Sequence, residues 1–159
     1  MTNILKKSLG SSFKGVYSFD QWRSIPSTSS TASYIFNTAP HTEEFGHWIA
    51  IKFFKNRTAI FFDSYGRSPA TLGFESFLEK HSESWKYNNI TIQSLFSAVC
   101  GQHAIFFLQK LSSSNLNKWI SNFSTDLLSN DKLVLDYINK KYKLSLSLYP
   151  SVEFFMNYI

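Results

Sequence analysis

Three short apolar runs in the first half of the chain have the length and the β-branched and aromatic content of strands: Ser33-Tyr-Ile-Phe-Asn-Thr38, His47-Trp-Ile-Ala-Ile-Lys-Phe-Phe54 and Thr58-Ala-Ile-Phe-Phe-Asp63. Lys55-Asn56-Arg57 joins the last two by a short polar link, so they predict a hairpin. Turn residues from Ser64 to Pro69 break the third strand. Leu72, Phe74, Phe77 and Leu78 then recur at helical spacing, which predicts a helix over about 71–85. Ile90 and Ile92 alternate within a further strand over 86–94. From Cys100 to Leu111 the chain is almost wholly apolar, as expected of a buried central helix. Helical stretches follow at about 115–128, 131–142 and 150–158, with Ser129 or Asn130-Asp131 as the cap of the second. Ahead of the strands, Ile4, Leu5 and Leu9 share one side of a short helix over 2–9. Phe13, Val16, Tyr17, Phe19 and Trp22 read as anchors packing a loop onto the core, and Pro26 to Thr31 as a surface loop. Helices before and after a compact run of strands predict an α+β domain rather than alternating βαβ units. At 159 residues, one domain over 1–159 is expected.

Composition narrows the setting. Apolar residues make up 43% and aromatics 18% of the chain, ample for a core. The apolar runs are too short to span a bilayer, and Met1 to Gly10 has two lysines but no apolar signal region. One cysteine and no signal segment predict a reducing, intracellular location. The formal charge of +5 favours loose, non-specific association with nucleic acid. The lysines are scattered, however, and the densest cluster is only Lys140-Lys141-Tyr142-Lys143, which reads first as a solvated helix face.

The lone Cys100 cannot form an internal disulfide, and no second cysteine or His-x3-His pair stands near it to hold a metal. Packing is the plain role for a free cysteine. A reactive role needs a thiolate, and a helix start beside an imidazolium supplies the field that favours one. Cys100 opens the predicted central helix, and Gly101 after it permits a close backbone approach. Among His41, His47, His81 and His103, the best base is His47, which begins a strand after Gly46 and can project into a cleft. His103 is the rival, one helical turn past Cys100 but pointing along the helix. Asp63 ends the hairpin partner of the His47 strand, so the two should be neighbours, with the carboxylate orienting the ring. Gln93, seven residues before Cys100, is a candidate oxyanion donor together with Cys100 itself.

Taken together, Gly46-His47-Trp48, Phe62-Asp63-Ser64-Tyr65-Gly66, Gln93 and Cys100-Gly101 resemble the adenovirus maturation protease (adenain) family, and in chain order also the SUMO-specific proteases. The resemblance covers about residues 5–112. It implies a papain-like, permuted cysteine protease fold: a central mixed β-sheet flanked by helices, one of them buried and carrying the nucleophile. It implies His47 as base, Asp63 as orienting acid, Cys100 as nucleophile and Gln93 as oxyanion donor, with Trp48 and Gly101 along the substrate groove. Adenain has Glu at the acid position. It is also activated by a peptide disulfide-linked to a second cysteine, which this chain lacks. The resemblance therefore leaves room for a non-covalent peptide activator or for DNA as a cofactor, and requires neither, nor any metal. The implied substrate is a polypeptide cleaved after Gly-Gly-like or small residues, a capsid or core precursor of a virus or virus-derived mobile element. A monomer in the host cytoplasm or nucleus, or packaged in virions, would follow. The alternatives are a protease that removes a ubiquitin-like modifier, an acetyltransferase using the same triad, and an inactive DNA-binding capsid accessory protein.

Overall fold

The computed structural model describes residues 1–26, 30–43, 45–111 and 115–149. A five-stranded mixed sheet in sequential order organises the chain: β1 (Phe13–Tyr17), β2 (Ala32–Asn37), β3 (Trp48–Phe53), β4 (Thr58–Phe62) and β5 (Ser84–Tyr87). The β2–β3–β4 centre is antiparallel, and β1 and β5 add to its two sides in parallel. Five helices accompany it: α1 (Thr2–Leu9), α2 (Glu75–His81), α3 (Cys100–Lys110), α4 (Leu116–Ile120) and α5 (Leu127–Tyr142). The architecture is α+β, as the pattern predicted.

The central strands lack polar alternation because both faces of the sheet are covered. All six residues of β2 are buried. On one face Ile35, Ala50, Ile60 and Phe62 join Leu5 of α1, Phe107 of α3 and Val134 and Ile138 of α5. On the other, Tyr34, Phe36, Ile49, Ile51, Phe53 and Phe61 meet Trp22, Phe74, Phe77 and Leu78. Aromatic rings carry much of this packing: Phe62 stacks on Phe107 at 4.6 Å, and Trp119 meets both edge-on at 5.2 Å. α3 is apolar on nearly every side, with Gly101 and His103 through Leu108 all buried. It lies against β3, wedged between the sheet and α5.

Several expected elements shift. Phe13–Tyr17 is an edge strand, not a loop, because it pairs with β2 while Phe13 anchors it in the core. The helix expected over 71–85 is confined to Glu75–His81, since Ser84–Tyr87 pairs with β4. The strand expected to 94 therefore ends at Tyr87, and residues 88–99 form an ordered loop. The helix expected over 115–128 stops at Ile120. α5 begins earlier than expected, capped by Asp126, whose side chain accepts from the amides of Leu128 and Ser129. Asn130 and Asp131 are thus not caps but buried residues inside α5. Residues 27–29 of the expected surface loop and the whole helix expected over 150–158 lie outside the described residues.

Candidate active site

The β3–β4 register brings the two strand ends together. Ala50 faces Phe62 and Ile51 faces Phe61, so continuing the ladder carries His47 past the end of β3 to the level of Tyr65. Gly46 allows this approach, because a Cβ there would stand 1.8 Å from Asn37 Oδ1. The His47 ring lies tilted against Tyr65 at 4.8 Å, and its Nε2 lies 2.5 Å from Asp63 Oδ1. Asp63 is fully buried. Its Oδ1 also accepts from the Tyr65 amide, and its Oδ2 from the Arg67 amide and from Arg67 Nε at 2.7 Å. Asn88 holds the backbone of Asp63 from both sides, Oδ1 accepting its N–H and Nδ2 donating to its carbonyl. Burial alone would raise the Asp63 carboxyl, but the hydrogen bonds from His47 and Arg67 outweigh it and hold the group down to about 2.

Cys100 is the first residue of α3 and lines the same cleft as His47, close enough for the ring to act on its thiol. With Nε2 engaged by Asp63, Nδ1 is the ring nitrogen left to serve the sulfur. Burial opposes charge on both groups, but it is outweighed: Asp63 first and then the Cys100 sulfur raise the His47 ring above its ordinary value, and His47 lowers the Cys100 thiol below its own, with amides at Trp48 and Gly101 assisting the sulfur. The arrangement favours a thiolate–imidazolium pair. Trp48 packs against the start of α3 at Gly101, where a Cβ would stand 3.5 Å from the Trp48 ring and 2.9 Å from the Met1 methyl.

A cleft of about 780 Å³ opens on this cluster. Cys100, His47, Trp48, Tyr65 and Gly101 line it, with Phe45, Ser97, Ala98 and Met1 around them. Gln93 is fully buried behind that wall. Its Oε1 accepts from Ser64 Oγ at 2.6 Å, and its Nε2 donates to the Ser97 carbonyl at 3.1 Å, with a longer 3.3 Å contact to Ser97 Oγ.

The other histidines are placed elsewhere. His41 pairs with Asp20 on the surface. His81 lies against Phe77 and Phe53, where burial lowers it to about 4 and keeps it neutral. His103 is fully buried, with Nε2 2.8 Å from Asp131 Oδ1. His47, Asp63 and Cys100 therefore come together at the cleft, with Trp48 and Gly101 beside them, whereas Gln93 is buried one layer behind.

Sequence reasoning missed Tyr65 as the ring beside His47, Arg67 and Asn88 as the grips on Asp63, and Ser97 as the wall residue in front of Gln93. Arg67 carried a faint signal, being a cation four residues after the acid. Asn88 carried none, since its role depends on how the 88–99 loop returns to β4. Among the described residues, no group of three or more His, Cys, Asp or Glu side chains could hold a metal ion. None of their helices is long and apolar enough to cross a membrane. No family model matches the chain, and no curated protein matches it at a significant level.

Proposed function

We propose that this chain is a cysteine endopeptidase of the adenain type, with the papain-like topology that type implies. The observation that carries the reading is that Cys100 lines the same open cleft as a histidine that the buried Asp63 orients. A merely packed cysteine has no use for a polarised imidazole or for a buried carboxylate behind it.

In the reaction, His47 Nδ1 takes the thiol proton while its Nε2–H stays on Asp63, which fixes the tautomer and balances the ring charge. The Cys100 sulfur attacks the scissile carbonyl carbon, a C–S bond forms, and the oxygen becomes an oxyanion. The Cys100 backbone N–H, at the start of α3, is one donor for that oxygen, and Gln93 would be the second once Ser97 in front of it gives way. At rest the Gln93 amide nitrogen is engaged by the Ser97 carbonyl and Oγ, so Ser97 must release it before it can reach the oxyanion. His47 then protonates the leaving amine as the C–N bond breaks, and the thioester remains. Water, deprotonated by His47, attacks the thioester, releases the new carboxylate and restores the thiol.

Trp48 and Gly101 lie close enough to narrow the groove beside the nucleophile, which suits glycine or another small residue before the cut. The substrate would be a polypeptide of Gly-Gly type, in keeping with maturation of a capsid or core precursor. The test is a Gly-Gly vinyl sulfone probe followed by location of the modified residue. Modification at Cys100, abolished by prior iodoacetamide, supports the reading. Cys100 left unmodified, or acetylated by acetyl-coenzyme A in place of peptide turnover, rejects it.

A further inference from the structure

α5 holds two polar side chains inside the core, Asn130 at 2% and Asp131 at 0% exposure. Such groups are costly unless every polar atom is satisfied, and here each bond goes to a chosen piece of backbone or to α3. Asn130 Nδ2 donates to the Ile92 carbonyl at 3.1 Å and to the Ser124 carbonyl at 2.9 Å, and its Oδ1 accepts from the Ser124 amide. Asp131 Oδ2 accepts from the Ser94 amide at 3.1 Å. Its Oδ1 meets Nε2 of His103, one turn past Cys100 on α3. The other His103 nitrogen, Nδ1, is buried without a partner among the described residues, so the proton sits on Nε2 and points at Asp131.

The two neighbours thus grip the backbone on either side of Gln93, and one carboxylate ties that segment to the helix of the nucleophile. Order passes on from there. Ser94 accepts at its carbonyl from Ser97 Oγ and at its own Oγ from the Phe96 amide, and Gln93 donates to the Ser97 carbonyl. Ser97 is the cleft wall.

We infer that Asn130 and Asp131 are positioning residues: they set the distance between the Cys100 helix and the 92–97 wall, and so the geometry in which the oxyanion is received. The inference rests on the hydrolase reading above. A misplacement of about 1 Å at such a site costs on the order of 100-fold.

The experiment is steady-state cleavage of a Gly-Gly-x peptide beside alkylation of Cys100 by iodoacetamide, which needs a thiolate but no oxyanion site. Asp131→Leu is expected to lower kcat about 10- to 100-fold with KM within about twofold. The alkylation rate and its pH profile should stay put, because His47 and Asp63 beside the thiol are untouched. Asp131→Asn keeps an acceptor for Ser94 and, once the His103 proton moves to Nδ1, donates to the ring Nε2, so it should restore most of kcat. A folded Asp131→Leu protein that cleaves like wild type overturns the inference, as does an equal loss of cleavage and alkylation. Should that variant fail to fold, Asn130→Ala must show the same split at several-fold, and its absence likewise overturns the inference. Wild-type protein that is alkylated at Cys100 but cleaves no peptide would overturn the hydrolase reading and this inference together.

Discussion

His47–Asp63 and His103–Asp131 are two imidazole–carboxylate pairs of similar length, 2.5 and 2.8 Å, within one small domain. Both aspartates are fully buried. The pairs differ in what surrounds the imidazole. The His47 ring is 13% exposed and lines a cleft together with Cys100, and its pKa is raised. The His103 ring is sealed beside Phe123 with its second nitrogen unpartnered among the described residues, and desolvation lowers its pKa. The same two residue types thus stand beside a thiol at an open cleft in one place and form a structural joint in the other. Geometry within the pair does not decide its use; the third neighbour does.

The largest effect that would break this contrast concerns the reactive pair. Cys100→Ala and His47→Ala should each lower kcat/KM for a Gly-Gly-x peptide by on the order of 10⁴-fold or more, and together by no more than either alone, because the residues act as a unit. Additive losses would show that they do not. Asp63→Asn should reduce kcat by on the order of 10³- to 10⁴-fold through the wrong ring tautomer, while iodoacetamide still reaches the sulfur. His103→Phe should reverse the pattern. It leaves Asp131 buried without its ring partner and costs about 3 kcal/mol in urea unfolding, yet the Cys100 alkylation rate should stay within about threefold of wild type. Equal damage to alkylation by the His47 and His103 variants would erase the distinction.

Proton linkage separates the pairs by sign. The His47 pKa in the fold lies above the ordinary 6.5, so its contribution is full below 6.5 and is lost as pH rises through the raised value. The His103 pKa lies below 6.5, so its contribution is full above 6.5 and is lost as pH falls toward the lowered value. Asp63 adds stability that is present above 3.8 and fades as pH drops toward about 2. Melting temperature against pH should therefore lose its slope just above 6.5 in His47→Phe and just below 6.5 in His103→Phe. Identical curves for the two variants would contradict the assignment. The smallest effect belongs to Arg67→Ala. Its partly exposed guanidinium supports Asp63 from one side only, so a two- to fivefold loss of kcat/KM is expected, roughly what one screened ion pair is worth.

The elements that the chain declared in advance were those with local causes. Thr2–Leu9, the three central strands and the helix from Cys100 follow from apolar spacing and turn residues. So did the meeting of His47 with Asp63, because a tight hairpin ties one strand's start to the next strand's end. What escaped was decided by tertiary pairing. Phe13–Tyr17 and Ser84–Tyr87 become strands only because β2 and β4 offer open edges, which no window of sequence displays. Asn130-Asp131 looks like a cap in the sequence, and only the return of the 92–94 backbone across α5 turns it inward. Gln93 was found by its spacing from Cys100, but the serine in front of it was invisible until the 88–99 loop took shape.

The Met1 side chain lies against Gly101 and forms part of the rim around the sulfur. Any polypeptide joined ahead of that methionine starts its path at the mouth of the cavity, a short reach from Cys100. A purification handle placed there would crowd incoming peptide or offer itself for cutting, so kinetic work on this protein is best done with the handle removed.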